Sequence, residues 1–234
     1  MQSQTTLIEA VSRPYLAAGH WPYYFARAKL THDPIYLTLL RSGRFSDRAR
    51  VLDLGCGHAF LAALMLTARK HYESGLWRAD WIAPPADLQF IGIDSQTRVV
   101  TQAKVVLGDR VVMHAADLRE APLPQADVAV AIDVLQCLKA DVQVALLKKI
   151  ARSLSGGGLL VLRVPDAGGG WRARFGKASD RFGIPLTKRA FATYHHRTLG
   201  EWLQLLQTLG FEPSVDPSRQ TFANTVLWAK APQA

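Results

Sequence analysis

A chain of 234 residues, 49% hydrophobic and 20% charged, suits one domain with decorations and can bury a substantial core. No apolar run approaches the roughly 18 residues that cross a bilayer, and the first residues lack the basic start and apolar core of a signal peptide. Cys56 and Cys137 are too few for a disulfide framework or a Cys-based metal site, so a reducing cytoplasm is the expected setting. Of the net charge of +9, six fall in one stretch: Arg163, Arg172, Arg174, Lys177, Arg181, Lys188, Arg189 and Arg197 against Asp166 and Asp180. That stretch is either a solvated basic face or a seat for an anionic partner.

Residues 1–46 precede the first convincing strand and are rich in large apolar groups, among them Trp21, Tyr23, Tyr24, Phe25, Leu30, Ile35 and Tyr36. Pro22 fits the first turn of a helix running to about Leu30, because its missing N–H would be unpaired there anyway. Asp33 followed by Pro34 predicts a second capped helix to about Arg41. These helices are expected to form a cap over the body of the domain, residues 47–234, which reads as a single globular unit.

The body alternates strand and helix: Val51–Leu54, then a helix over Phe60–Arg69; Gln89–Ile93, then Thr97–Leu107; Arg110–His114; Asp127–Ile132, then a helix from about Asp141 to Leu154. In that last helix Val142, Ala145, Leu146 and Ile150 fall at helical spacing as one face. Gly156-Gly157-Gly158 is expected to end it, with a fifth strand over Leu159–Val164. Residues 72–88, with Pro84-Pro85, interrupt the rhythm as an insertion that Trp77, Trp81 and Ile82 should pack down. Thr198 and Glu201 have capping-box spacing before a helix carrying Trp202, Leu205, Leu206 and Leu209. Phe211–Val215 and Phe222–Ala229 finish as an antiparallel hairpin. The order is that of an α/β, doubly wound, mainly parallel seven-stranded sheet with an antiparallel C-terminal hairpin.

Chemistry concentrates in Val51-Leu52-Asp53-Leu54-Gly55-Cys56-Gly57-His58-Ala59-Phe60. Gly55 permits a sharp turn, and Gly57 lets backbone approach a ligand without a Cβ in the way. A dinucleotide site would want glycine at position 60, where Phe60 stands. A carboxylate at a strand end beside exposed backbone amides instead suits a zwitterion bearing both ammonium and carboxylate, such as the methionine end of S-adenosylmethionine. On these residues the chain resembles the class I S-adenosylmethionine-dependent methyltransferases, over about residues 48–230. The resemblance implies a Rossmann-like fold and a cofactor held by Asp53, Gly55, Cys56, Gly57, Asp94 with Ser95, and Asp117 with Leu118. Asp94 would take both ribose hydroxyls, Asp117-Leu118 would lie beside the adenine, and Asp133 would stand near the methionine end and the substrate. Asp94 falls later after Gly57 than the usual spacing of about 20 residues, a delay the 72–88 insertion explains.

Methyl transfer often needs a proton removed from the acceptor. His195 and His196, just before the capped helix, are the candidates for a general base or acceptor-orienting group. Positioning alone can supply much of the rate of an in-line transfer, so a base is not obligatory. His58 is either an exposed helix-start residue or a further base. Lys29 and Tyr24 either pack in the cap or touch the methionine carboxylate. His20, His32, His71 and His114 show no ligand spacing, so no metal is expected.

The leading expectation is a methyltransferase acting on a small apolar acceptor, aromatic or lipid-like. A narrower resemblance, through residues 23–30 and Phe222-Ala223-Asn224, is to bacterial methyltransferases of aryl-polyene and lipid-type biosynthesis. In that setting the basic stretch would dock an acyl carrier protein or the anionic inner surface of the membrane. An RNA methyltransferase is the alternative, although Asp133-Val134-Leu135-Gln136 lacks the Pro-Pro-aromatic signature of base-nitrogen methylation and no RNA-binding module is visible. A non-catalytic, cofactor-binding partner protein is a third reading.

Overall fold

The computed structural model describes residues 2–167, 195–218, 220 and 224–233. Seven strands form one mixed sheet in the order β3-β2-β1-β4-β5-β7-β6, and the chain divides into two compact units, Met1–Ala121 and Pro122–Ala234.

The first unit opens with α1 (Gln2–Ser12), a 3-10 turn (Arg13–Ala18), α2 (His20–His32) and α3 (Ile35–Arg41). α1 is absent from the sequence expectation, because its first residues are polar and β-branched. It forms because Leu7, Ile8 and Val11 are buried, each such side chain contributing about 1.5–3 kcal/mol. Asp33 does accept the Ile35 N–H at the start of α3, at 3.3 Å. Then follow β1 (Arg50–Leu54), α4 (Phe60–Glu73), β2 (Gln89–Asp94), α5 (Thr97–Leu107) and β3 (Val111–Ala115). β1 pairs parallel with β2 and β2 parallel with β3, with Leu54 opposite Ile93 and Asp94 opposite Ala115. α4 buries Phe60 through Met65 with Ala68, and α5 buries Val100, Ala103, Val106 and Leu107. In the 72–88 insertion Trp77 and Trp81 meet edge to face at 5.3 Å, with Arg41 and Arg78 over the Trp81 ring. Ile82 does not pack down as expected and stays 58% exposed.

The second unit holds β4 (Ala126–Ile132), α6 (Ala140–Ser153), β5 (Leu154–Pro165), α7 (Leu199–Thr208), β6 (Glu212–Val215) and β7 (Asn224–Lys230). β4 and β5 are parallel, while β7 is antiparallel to both β5 and β6. Two expectations change. The glycine run does not separate helix from strand: β5 begins at Leu154 opposite Ala126, and regular pairing resumes at Val128 opposite Leu159. Residues 155–158 bulge out between these two pairs, with Gly157 at φ +73°. The buried face of α6 is also rotated by one residue, to Gln143, Leu146, Leu147, Ile150 and Ser153. Ala145 is exposed instead. α7 carries the expected capping box, with Thr198 accepting from the Glu201 N–H and Glu201 from the Thr198 N–H. Among the described residues no helix is long and apolar enough to cross a membrane.

Candidate functional site

In the first unit the turn after β1 is built from left-handed residues. Gly55, Gly57 and Ala59 have φ of +69°, +54° and +56°. The two glycines adopt this conformation at no steric cost, and only Ala59 is strained there, a strain that persists where the surroundings hold it. Here the hold comes from the end of β2. The Ile93 carbonyl accepts from the N–H groups of Gly55 (2.8 Å) and Cys56 (3.2 Å). One Asp94 oxygen accepts from the Gly57 N–H at 2.9 Å, and the other from the Gln96 N–H at 2.9 Å. Asp94 therefore braces the glycine turn and shapes the entry to α5 with one side chain. Gly92 matters for packing: a Cβ there would stand 2.8 Å from the Cys56 Sγ and 2.7 Å from the Met113 Sδ. At Gly57 nothing lies within 4 Å of where a Cβ would be.

Asp53 is 6% exposed, and burial, with repulsion from Asp94, pushes its carboxyl up to about 7. Among the described residues no ion pair answers this carboxyl, which gains most from a cation brought to it. Burial and the same two acids raise the Cys56 thiol far above its ordinary range, so it stays a protonated packing group. Ser95 is exposed next to Asp94.

His58 departs from expectation. It is 5% exposed, stacked on Phe60 at 5.3 Å and 7°, with Phe25 at 5.6 Å and Trp21 at 5.7 Å around the ring. Its Nε2 meets the Gln102 Oε1 at 3.1 Å, and its carbonyl accepts from the Tyr15 hydroxyl at 2.7 Å. Burial lowers its pKa, so the imidazole is a neutral clip between the N-terminal helices and the glycine turn. Lys29 is bonded to Asp33 at 3.0 Å. Tyr24 is 62% exposed and pairs with Tyr23. Asp117 follows β3, where the Arg119 guanidinium grips it from Nε at 3.0 Å and Nη2 at 2.6 Å; the adjacent Leu118 is buried.

In the second unit Asp133 follows β4 at φ +59°, a conformation short acidic side chains tolerate better than most. Its carboxylate is clasped by Arg163, from Nε to Oδ1 at 2.9 Å and from Nη2 to Oδ2. Arg163 is itself 2% exposed. A 3-10 turn, Leu135–Cys137, comes next. The Gln143 amide, fully buried in α6, organises that turn by donating to the carbonyls of Leu135 (3.0 Å), Leu138 (3.2 Å) and His195 (3.0 Å). Its own oxygen accepts from the Arg197 Nε at 2.8 Å. The His195 N–H donates to the Gln136 carbonyl at 3.2 Å. His195 and His196 are both half-buried. Sequence reasoning missed Gln143, Gln136 and the Arg163 partnership, because polar side chains read as surface unless a motif claims them. The basic stretch changes character accordingly. Arg163 is an internal ion-pair partner, and Arg197 is bonded to Gln143 with its guanidinium over the Trp202 ring. The six cations between them lie outside the described residues.

Comparison with known proteins follows the same lines. A family model described as "Methyltransferase domain" matches residues 25–215. Over 119 residues the chain is 34% identical to a carboxy-S-adenosyl-L-methionine synthase of Psychrobacter arcticus. That match covers 49% of this chain and 40% of the synthase, so the chain spans about two fifths of that relative's length. An O-methyltransferase family 2 protein from Planctomyces limnophilus, in complex with apigenin, superposes with a TM-score of 0.57 at 16% identity, covering 78% of this chain and 50% of that one. A chain of the complex between the Haloferax volcanii Trm112 methyltransferase activator and a methyltransferase gives 0.63 at 13% identity, covering 94% and 97%. The chain belongs to the methyltransferase-domain family, and its fold is that of the class I enzymes that take their methyl group from S-adenosylmethionine.

Proposed function

We propose that the chain is an S-adenosylmethionine-dependent methyltransferase whose acceptor is a small apolar molecule, aromatic or lipid-like. One observation carries the cofactor reading. A buried carboxyl, Asp53, without an ion-pair partner among the described residues, stands at the end of β1, just before a left-handed turn that Asp94 already braces. The residues fit the cofactor. Asp53 answers an ammonium group, the space beside Gly57 admits a ligand where a Cβ would intrude, and Asp94 carries acceptor oxygens for a ribose diol. Cys56 and Ser95 line the same turns, and Asp117 with Leu118 would flank the base. When bound, the cofactor supplies an electrophilic methyl on a sulfonium. The protein's part is to fix that methyl in line with the acceptor and exclude water, which supplies much of the rate. Lys29 and Asp133 enter as structural residues, since Asp33 and Arg163 hold them. His195 and His196 are the proposed groups for holding or removing an acceptor proton.

Support for an apolar acceptor comes from α2, where Trp21, 57% exposed, stacks on Phe25 and lies beside the His58 ring. The O-methyltransferase found with a small molecule, apigenin, points the same way. Delivery by an acyl carrier protein or at an anionic membrane surface, in the cytoplasm, would fall to the six remaining cations of the basic stretch. The test couples calorimetry to transfer of a labelled methyl group. The wild type should bind S-adenosylmethionine, Asp94→Ala should weaken that binding about tenfold or more, and His195→Ala with His196→Ala should lower turnover while leaving the cofactor Kd in place. Unchanged cofactor affinity in Asp94→Ala would sink the ribose assignment.

A further inference from the structure

We propose that Gln136 orients the methyl acceptor, its side-chain carbonyl taking a hydrogen bond from an acceptor that carries its own proton: a phenol, an alcohol or an amine. This rests on the methyl-transfer reading above and narrows it to a substrate class.

Gln136 is 5% exposed, and its Oε1 is buried with no hydrogen-bond partner among the described residues. Folded proteins pair the large majority of such atoms, and an unpaired buried carbonyl is costly enough to need a reason. Relaxation of the turn does not remove the cost, because the backbone around Gln136 is fixed on every side. Its own carbonyl accepts from the His195 N–H, the Cys137 N–H donates to the Val134 carbonyl, and Gln143 ties down Leu135 and Leu138. The side chain is thus presented by a rigid frame with its polar end unanswered, the arrangement expected of a group whose partner is a ligand.

Its place in the chain agrees. Open α/β sheets bind ligands outside the carboxyl ends of their strands, and Gln136 stands in the turn directly following β4. The neighbouring acid on that turn is committed, since Arg163 holds the Asp133 carboxylate. The Oε1 only accepts, so it pairs with an O–H or N–H and not with a carboxylate oxygen, and holding that hydrogen orients the lone pair of the same atom. On attack the new bond forms between that oxygen or nitrogen and the methyl carbon, the carbon–sulfur bond breaks with its electron pair staying on sulfur, and the acceptor's proton leaves to solvent by way of the proposed His195 or His196.

The test uses the full chain and Gln136→Met, which keeps length and bulk while removing the carbonyl. Labelled methyl transfer is measured to apigenin, an aliphatic alcohol and a primary amine, with benzoate as the proton-free comparison. Calorimetry with S-adenosylhomocysteine and a thermal melt run alongside. The expected result is transfer to at least one proton-bearing acceptor by the wild type, with kcat/KM at least tenfold lower in Gln136→Met. The cofactor Kd should stay within twofold and Tm should be equal or higher, because an unpaired buried group has gone. Gln136→Glu, which keeps an accepting oxygen, should recover part of the turnover. Wild type that binds the cofactor but methylates only benzoate, or none of the panel, overturns the proposal. So does a Gln136→Met variant with full turnover, or one whose Tm falls by several degrees. Wild type that fails to bind S-adenosylhomocysteine would instead overturn the cofactor reading itself.

Discussion

Asp53 makes cofactor affinity a function of pH, with a sign and a size that follow from its surroundings. Its carboxyl is buried and faces Asp94, so it titrates at about 7 rather than near 3.8. An ammonium group is attracted only to the ionised form. Apparent affinity scales with the fraction of the binding-competent form, so it should be nearly full at pH 8 and about tenfold weaker at pH 6. The stability of the free protein should run the opposite way. A folded pKa above the unfolded one means that the native state holds the proton more tightly. Stability then falls as pH rises from about 4 to about 7, by on the order of 4 kcal/mol. Calorimetric titration of S-adenosylmethionine from pH 6 to 8, on the wild type and on Asp53→Asn, reads the first effect; urea unfolding over the same range reads the second. Asp53→Asn should bind weakly at every pH and should unfold less readily than the wild type at pH 8. A wild-type Kd flat across the range would refute the reasoning, as would an equal pH slope in the variant, which would point to another group such as His58.

Two further perturbations probe the turns. Gly57→Ala puts a Cβ on a residue at φ +54°, costing about 1–2 kcal/mol, but it also fills space that the proposed ligand needs; the cofactor Kd should rise about tenfold, and an unchanged Kd in calorimetry would remove Gly57 from the site. Arg163→Met strands the Asp133 carboxylate in its left-handed position; because Asp133 is 33% exposed, the loss should lie at the low end for a broken buried pair, about 3 kcal/mol in urea unfolding, and adding Asp133→Asn should restore much of it.

The strand–helix alternation and the glycine turn were legible because apolar runs, glycines and strand-end acids are local signals. Thr97–Leu107 as a helix and Thr198 with Glu201 as a cap follow directly from such signals. What stayed hidden depends on distant partners. Gly156-Gly157-Gly158 looks like a stop, yet β5 starts before it because Leu154 finds Ala126 across the sheet. At Gly158 any Cβ would collide with the Ser155 and Asp127 carbonyls, at 2.8 and 3.0 Å. Gln143 looks like the solvent side of α6 until the Leu135, Leu138 and His195 carbonyls meet its amide. Among the cofactor candidates, the glycine turn and Asp94 are brought together by direct hydrogen bonds. Asp133 is held by Arg163, which nothing in its local sequence assigns to it, whereas Asp117 is held by its near neighbour Arg119.

The His58 clip bears on how much of this chain can be cut away. The family match starts at residue 25 and stops at 215. The first boundary falls inside α2, removing Trp21 from the His58 ring and Tyr15 from the His58 carbonyl. The second discards β7, whose loss would strip the antiparallel partner from β5 and turn a buried strand into a sticky margin. The limits of recognisable ancestry therefore cut into packed elements at both ends of the described chain. A minimal fragment trimmed to them would lose the buttress of its own glycine turn at one end and gain an aggregation-prone seam at the other.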